Sequence, residues 1–173
     1  MEIRKATLAD ARGIARVHVD SWLATYKGIV PDTYLDQLTY DAREQLWDKN
    51  LKADNNYVAE KKDGEIIGFA TGGIERTGKY DRLEGELYAI YILPEYKGQG
   101  IGSLLMGSLV NDLKEKGINS LLVWVLEDNR SRGFYEKMGG QAVARKTIKI
   151  SGKELIEVAY GWEDFGQMKK SDI

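Results

Sequence analysis

Three glycines alternate along the segment 97–103, which reads Lys-Gly-Gln-Gly-Ile-Gly-Ser. An apolar run that favours a β-strand ends just before them at Pro94, and an amphipathic helix begins at Ile101. Glycines leave backbone N–H groups uncovered by side chains, and the N-terminus of a helix carries partial positive charge. Because this combination suits an anion, the segment predicts a site for the phosphate or pyrophosphate of a phosphorylated cofactor.

The spacing of these glycines differs from two common nucleotide-binding motifs. The dinucleotide-binding fingerprint G-x-G-x-x-G requires a glycine at position 103, where this chain has Ser103. A P-loop requires the tripeptide Gly-Lys-Ser/Thr, which the sequence lacks. Both differences argue against a nucleotide-binding protein, which stays as an alternative.

The composition argues against several other chemistries. The chain has no cysteine, which removes disulfides, thiolate metal sites and a cysteine nucleophile together. A histidine-rich metal site or a Ser-His-Asp triad is hard to build from one histidine, His18. We therefore expect no bound metal. Because His18 lies on the apolar face of a predicted helix, it is interpreted as a core or pocket-edge residue rather than a catalytic base.

Length and charge narrow the class of protein further. A chain of 173 residues with 43% hydrophobic residues predicts one domain with a sizeable core. The net charge is -2 with no basic block, so nucleic acid is not an expected partner. No apolar run approaches the roughly 18 residues of a membrane helix, and the N-terminus lacks a signal-peptide pattern. The sequence therefore predicts a cytoplasmic protein without a membrane partner.

Hydrophobic periodicity predicts that helices and strands are mixed along the chain. Thr7 and Asp10 resemble a capping box before the first helix, and Asp63-Gly64 favours a tight hairpin. Strands are predicted at 2–6, 57–60, 66–70, 84–93, 121–126, 142–150 and 155–161. Helices are predicted at 11–22, 31–38, 39–51, 101–117 and 130–138. The polar residues 163–173 predict a frayed tail.

The connections between these elements predict a mixed sheet. A helical crossover joins the strand at 84–93 to the strand at 121–126, so the two should be parallel neighbours. The hairpins should make the rest of the sheet antiparallel. Because side chains alternate along a strand, residues 84, 86, 88, 90 and 92 are expected to share one face.

The glycine segment resembles the (Gln/Arg)-x-x-Gly-x-(Gly/Ala) loop of the GNAT superfamily of acyl-CoA-dependent N-acetyltransferases. Lys97 stands where that family usually has Gln or Arg, a departure that matters little for a loop that binds through backbone N–H groups. Pro94 and the segment 129–140, with Asn129 ahead of Tyr135 and a Gly-Gly pair, also resemble the family. The order of elements matches over residues 2–161. The chain is identified as a GNAT member on these residues.

The resemblance implies a fold, a domain organisation and a cofactor. The expected fold is α/β (α+β), with a GNAT-like mixed, mostly antiparallel central sheet, a splayed parallel strand pair and helices on both faces. One domain would span 1–162, followed by the polar tail 163–173. Acetyl-CoA would bind with its pantetheine arm in the gap between the splayed strands and its pyrophosphate on the glycine loop. The cofactor-binding residues would be Ile90, Tyr91, Ile92, Lys97, Gly98, Gln99, Gly100, Ile101, Gly102, Ser103, Asn129 and Tyr135.

The resemblance also implies catalytic roles, each with a structural alternative. Glu86, which lies where family members carry a strand glutamate, would be the general base, with Glu84 as the second choice. Tyr135 would be the general acid for the leaving thiolate. The alternatives are an ion-paired strand glutamate for Glu86, helix packing for Tyr135 and an N-cap for Asn129.

The expected reaction is transfer of an acetyl group to a primary amine of a small molecule by direct attack in a ternary complex. The absence of cysteine agrees with direct attack. Protein or peptide N-acetylation, and a non-catalytic acyl-CoA-binding module, are the alternatives. A homodimer through residues 142–161 and a bacterial source are also implied. Residues that could line the acceptor pocket are Trp22, Tyr26, Tyr34, Glu84 and Trp124. The alternative for the four aromatic residues is ordinary core packing.

Overall fold

The computed structural model describes residues 1–53 and 55–169. Its strands are β1 (Glu2–Lys5), β2 (Asn56–Glu60), β3 (Ile66–Ile74), β4 (Gly85–Ile92), β5 (Leu121–Leu126), β6 (Gln141–Ile150) and β7 (Lys153–Trp162). Its α-helices are α1 (Ala11–Tyr26), α2 (Asp32–Leu35), α3 (Tyr40–Asn50), α4 (Ile101–Glu115) and α5 (Arg132–Lys137). The order of these elements is the one expected from periodicity, and their ends differ from the expected ones by up to four residues.

The seven strands form a single sheet in the order β1-β2-β3-β4-β5-β7-β6. The pair β4–β5 is parallel, and the other neighbouring pairs are antiparallel. This arrangement confirms the predicted mixed, mostly antiparallel sheet with one parallel pair. Among the described residues, no helix is both long and apolar enough to cross a membrane.

Helices cover both faces of the sheet, and two adjacent residues of β3 show this. A Cβ built on Gly68 would lie 3.4 Å from the Leu105 side chain of α4. The ring of the next residue, Phe69, packs against His18 of α1 and Trp47 of α3, at centroid distances of 5.8 Å and 4.9 Å. Because successive residues of a strand face opposite sides, α4 covers one face and α1 with α3 covers the other.

A β-bulge in β4 corrects the expectation that residues 84, 86, 88, 90 and 92 share one face. Thr71 pairs with Ala89, but the next residue, Gly72, pairs with Leu87, so Tyr88 is the extra residue. The alternation of side chains therefore shifts by one at this point. As a result, Glu86 faces away from α4, whereas Ile92 faces α4 and lies 3.2 Å from the position of a Cβ on Gly68.

The chain does not fray immediately after β7, which contradicts the expected tail in part. Phe165 is buried, and its backbone N–H donates to the carbonyl oxygen of Asn119 at 2.9 Å. The N–H of Lys169 donates to the carbonyl oxygen of Met138 at 3.0 Å. A short 3-10 turn at Phe165–Gln167 thus packs on the core, and residues 170–173 lie outside the described part of the chain.

Candidate active site

A gap opens between β4 and β5 beyond the bulge. The ladder between these strands covers three residues of β4, Gly85–Leu87, and ends there. On the other edge of β4, the N–H of Leu93 donates to the carbonyl oxygen of Ile67 at 2.9 Å. Because N–H groups alternate between the two edges of a strand, those of Ile90 and Ile92 point into the gap. They can bind an extended amide chain as an added strand would.

A cavity of about 610 Å³ joins this gap to the start of α4 and to the inner face of β6 and β7. It collects most of the residues that the sequence indicated. Those that line it are Trp22, Tyr26, Glu86, Ile90, Tyr91, Ile92, Lys97, Gly98, Gly100, Ile101, Gly102, Ser103, Trp124, Asn129 and Tyr135. Segments distant in sequence therefore meet around one space.

Three predicted site residues lie outside this lining. Tyr34 packs behind Trp22, with ring centroids 5.7 Å apart. Glu84 precedes β4, is exposed, and its N–H donates to the hydroxyl of Ser120 at 2.8 Å. The Gln99 side chain is exposed, and its Nε2 donates to the carbonyl oxygen of Glu95 at 3.3 Å. Glu84 therefore does not reach the cavity and cannot replace Glu86 as the base there.

The glycine loop presents backbone to the cavity at the start of α4. Gly98 and Gly100 have φ values of +76° and +77°, which residues with a Cβ adopt at a cost. A Cβ built on Gly98 would have no atom of the described residues within 4 Å. The ammonium-bearing residues Lys97 and Lys137 line the same cavity. A helix N-terminus, exposed backbone and two cations fit the phosphates of coenzyme A.

Buried phenols line the middle of the cavity. Tyr135 is buried on α5, and burial raises its pKa well above that of a free phenol, so its hydroxyl stays protonated. No hydrogen-bond partner of this hydroxyl is found among the described residues, so the group is available as a donor. Burial also raises the pKa of Tyr26 and Tyr91.

Asn129 makes two contacts within the protein. Its Oδ1 accepts a hydrogen bond from the N–H of Ser131 at 2.8 Å, close to the start of α5. Its Nδ2 donates to the hydroxyl of Tyr26 at 3.1 Å. The first contact lies within the loop before α5, whose N-cap is Ser131, so the N-cap alternative for Asn129 is wrong. The second contact connects this loop to the end of α1. One N–H of the amide is left for a ligand.

The Glu86 carboxylate is buried and accepts three hydrogen bonds from one residue. The Arg76 side chain donates from Nη2 to Oε1 at 2.6 Å and from Nε to Oε2 at 3.2 Å. The Arg76 backbone N–H donates to Oε2 at 3.1 Å. The guanidinium lies over the ring of Tyr88, 4.4 Å from its centroid. Glu86 is therefore an ion-paired strand glutamate in this structure, which is the alternative to a catalytic base that the sequence left open.

His18 lies outside the cavity lining and packs among aromatic rings. Its Nδ1 accepts a hydrogen bond from the indole N–H of Trp47 at 3.2 Å, and its ring stacks on Tyr91 at 5.6 Å. Burial, with a smaller effect from Arg43, lowers its pKa to about 4. The imidazole is therefore neutral near pH 7, as expected of a core histidine.

Sequence reasoning missed four charged residues of the cavity, which are Lys137 beside the glycine loop and three residues near Glu86 and Trp124. Arg76 belongs to the polar segment after β3, and Lys146 and Glu157 lie opposite each other on β6 and β7. The Lys146 ammonium lies 4.0 Å from the ring centroid of Trp124 and 3.4 Å from the Glu157 carboxylate. The predicted hairpin of the last two strands could have indicated two of these residues, because strand pairing places residues 146 and 157 opposite each other.

Comparison with known proteins places the chain among acetyltransferases. Residues 19–140 match the acetyltransferase (GNAT) family. The uncharacterized N-acetyltransferase YuaI of Bacillus subtilis (strain 168) is 40% identical over 167 residues, 96% of this chain and 95% of the relative. The spermidine N(1)-acetyltransferase of Thermoplasma acidophilum is 29% identical over 146 residues, 80% of this chain and 87% of the relative.

A solved structure gives the same result for the fold. The PaiA N-acetyltransferase from Thermoplasma acidophilum, in complex with coenzyme A, is similar with a TM-score of 0.71 and 24% identity, over 90% of this chain and 96% of that one. The family match includes both the glycine loop and Tyr135. The chain therefore belongs to the GNAT family, as an acyltransferase whose cosubstrate is acetyl-CoA.

Proposed function

We propose that the protein acetylates a primary amine of a small molecule by direct attack in a ternary complex. The observation that carries this proposal is the single cavity, which joins the glycine loop, the β4–β5 gap, Tyr135 and Glu86. A direct reaction requires both substrates in one space, and the chain has no cysteine to carry the acetyl group between them.

Glu86 acts as the base in this proposal. An alkylammonium with a pKa near 10 is not nucleophilic at neutral pH, so the acceptor must lose a proton before or during attack. The Glu86 carboxylate lies at the acceptor side of the gap, where it takes this proton directly or through a water molecule. Because the Arg76 side chain occupies both carboxylate oxygens in the free protein, it must move or share them when the amine binds.

Tyr135 assists the departure of the thiolate. Acetyl-CoA supplies an acetyl thioester, with its arm bound along the N–H groups of Ile90 and Ile92 and its phosphates on the glycine loop. The protonated Tyr135 hydroxyl donates a hydrogen bond, and then a proton, to the sulfur as the C–S bond breaks and the new C–N bond forms. Its lack of a hydrogen-bond partner among the described residues supports this role.

Two observations support a small-molecule acceptor. The relative from Thermoplasma acidophilum named as a spermidine acetyltransferase acts on a small amine, and it matches 80% of this chain. The acceptor side of the cavity is lined by Trp22, Tyr26 and Trp124 together with charged groups, which suit a small cation.

The test is release of free thiol from acetyl-CoA over a panel of polyamines, amino acids, aminoglycosides and short peptides. We expect release with small amines, and a loss of about 100-fold or more in kcat for Tyr135→Phe. Tyr34→Phe, outside the cavity lining, is the matched control. Release with peptides alone would establish a peptide acetyltransferase. No release from any amine, with acetyl-CoA still raising the melting temperature, would indicate an acyl-CoA-binding module.

A further inference from the structure

Two cations of the protein itself occupy the acceptor side of the cavity, each between an aromatic ring and a carboxylate. The first is the Arg76 guanidinium, 4.4 Å from the ring centroid of Tyr88 and 2.6 Å from Oε1 of Glu86. An aromatic face and a carboxylate together form a site for a substrate ammonium group. In the free protein, Arg76 fills this site.

The second cation repeats the arrangement on the neighbouring strands. The Lys146 ammonium lies 4.0 Å from the ring centroid of Trp124 and 3.4 Å from Oε2 of Glu157. All three residues line the cavity. The cavity therefore has two positions at which a side-chain cation of the protein lies between an aromatic ring and a carboxylate.

Burial distinguishes the fixed charges from those that can move. The Glu86 and Glu157 side chains are 3% and 21% exposed, whereas those of Arg76 and Lys146 are 60% and 47% exposed. The two cations are the ends of long, flexible side chains that can turn into water when a substrate cation takes their place at the carboxylate. The charges anchored in the cavity wall are thus negative, and they select a cation.

The register of the strands sets the distance between the backbones of Glu86 and Trp124, one residue from each site. Glu86 pairs with Leu122 of β5, and Trp124 lies two residues further along the same face. With a strand spacing of ~4.8 Å and a rise of ~3.3 Å per residue, the Cα atoms of Glu86 and Trp124 are about 8 Å apart. At ~1.3 Å per bond, an alkyl chain of about five carbons between two nitrogens spans this distance.

We propose that the acceptor is a linear aliphatic amine with at least two ammonium groups. One group replaces the Arg76 side chain at Tyr88 and Glu86, where it loses its proton and is acetylated. The second replaces Lys146 at Trp124 and stays charged. This inference rests on the proposed function for the identity of the reacting amine. The backbone N–H of Arg76 keeps its hydrogen bond to Oε2 of Glu86 when the side chain is replaced.

Binding is measured by calorimetry on the full chain saturated with coenzyme A, so that acetyl transfer is not needed for a signal. The probes are 1,5-diaminopentane, 1-aminopentane and 5-aminopentanoate, which differ only in the second terminal group. We expect the diamine to bind about tenfold more tightly than the monoamine, as a cation–π contact with an ion pair provides.

Variants identify the second site. Glu157→Gln and Trp124→Leu should each reduce the diamine preference severalfold, while Lys146→Gln should increase diamine affinity because the internal competitor is removed. Glu154→Gln is the matched control, since Glu154 is an exposed glutamate of the same strand outside the cavity lining. It should leave the preference unchanged. Melting temperatures identify any variant that fails to fold.

Each result decides the proposal. Equal affinity for diamine and monoamine overturns it, even if acetyl transfer is seen, and so does a preference for 5-aminopentanoate, which would assign Arg76 or Lys146 to a substrate carboxylate. A diamine preference that survives both Glu157→Gln and Trp124→Leu also overturns it. Selective diamine binding that these variants abolish supports it. If the diamine binds selectively but no acetylated product forms, the site for two ammonium groups is supported and the proposed function is contradicted.

Discussion

The guanidinium of Arg76 and the carboxylate of Glu86 meet at two points on the acceptor side of the cavity, with Nη2–Oε1 at 2.6 Å and Nε–Oε2 at 3.2 Å. Arg76 lies two residues after the end of β3, and β3 is the antiparallel neighbour of β4, which carries Glu86. The hairpin partner thus covers the proposed base. In this pair the two charges compensate each other. The position of the Arg76 side chain should therefore affect both the stability of the fold and catalysis.

Removing the Arg76 side chain should destabilise the fold. In Arg76→Ala, the buried Glu86 carboxylate keeps one donor, the backbone N–H, so we expect a loss of about 1–3 kcal/mol in the free energy of unfolding. Urea denaturation measures it. Arg82→Ala is the control, because the exposed Arg82–Glu163 pair should contribute less than about 0.5 kcal/mol. Equal losses in both variants would contradict a special role for the Arg76–Glu86 pair.

Replacing the proposed base should lower turnover without weakening cosubstrate binding. For Glu86→Gln we expect kcat to fall about 100-fold at neutral pH, with little change in the KM for acetyl-CoA. The loss should shrink as the pH rises toward about 10, where the free amine already predominates. Rates from pH 6 to 10 measure this. Glu84→Gln, outside the cavity lining, should keep wild-type rates, and a wild-type profile for Glu86→Gln would remove Glu86 from the mechanism.

A side chain on the glycine loop should weaken cosubstrate binding specifically. Gly98→Ala introduces a Cβ that meets no described protein atom within 4 Å, so its costs are backbone strain and crowding of the bound phosphates. Gly117→Ala carries similar strain, with φ at +80° and open space, at the opposite end of α4. Both should lose about 1 kcal/mol of stability. Only Gly98→Ala should raise the Kd for acetyl-CoA, as calorimetry can show, and an equal effect in both would contradict the assignment of the loop.

The neutral His18 should make the fold sensitive to acid. Its pKa is about 4 in the folded protein because of burial, compared with about 6.5 in an unfolded chain. Between these values the unfolded chain binds a proton that the folded one does not, so stability present above pH 6.5 is lost as the pH falls toward 4, by up to about 3 kcal/mol.

The variant His18→Gln tests this acid sensitivity. Glutamine does not titrate, and its carbonyl oxygen can still accept the hydrogen bond of the Trp47 indole. Denaturant unfolding at several pH values should give a shallower decline for the variant between pH 6.5 and 4. The same slope in both proteins would show that other groups cause the acid dependence.

Local sequence signals predicted the elements and the glycine loop. Alternating apolar residues, the turn at Asp63-Gly64 and the glycines of 97–103 act over a few neighbouring residues, so their consequences can be derived from the chain alone. The parallel pairing of β4 with β5 followed from the helical crossover between them. The same segments carried the resemblance from which most of the predicted site residues came, and these make up about half of the residues that line the cavity.

The tertiary structure alone decided which face Glu86 occupies and which charges surround it. The bulge at Tyr88 depends on how β4 pairs with β3, and no local pattern marked it. Arg76, Lys146 and Glu157 come from separate segments, and the register of the sheet brings them to one cavity. The sequence by itself determined the family and the cosubstrate and predicted an anion site at the glycine loop. The proposed acceptor side depends on long-range pairing, because its charges meet only after the sheet has formed.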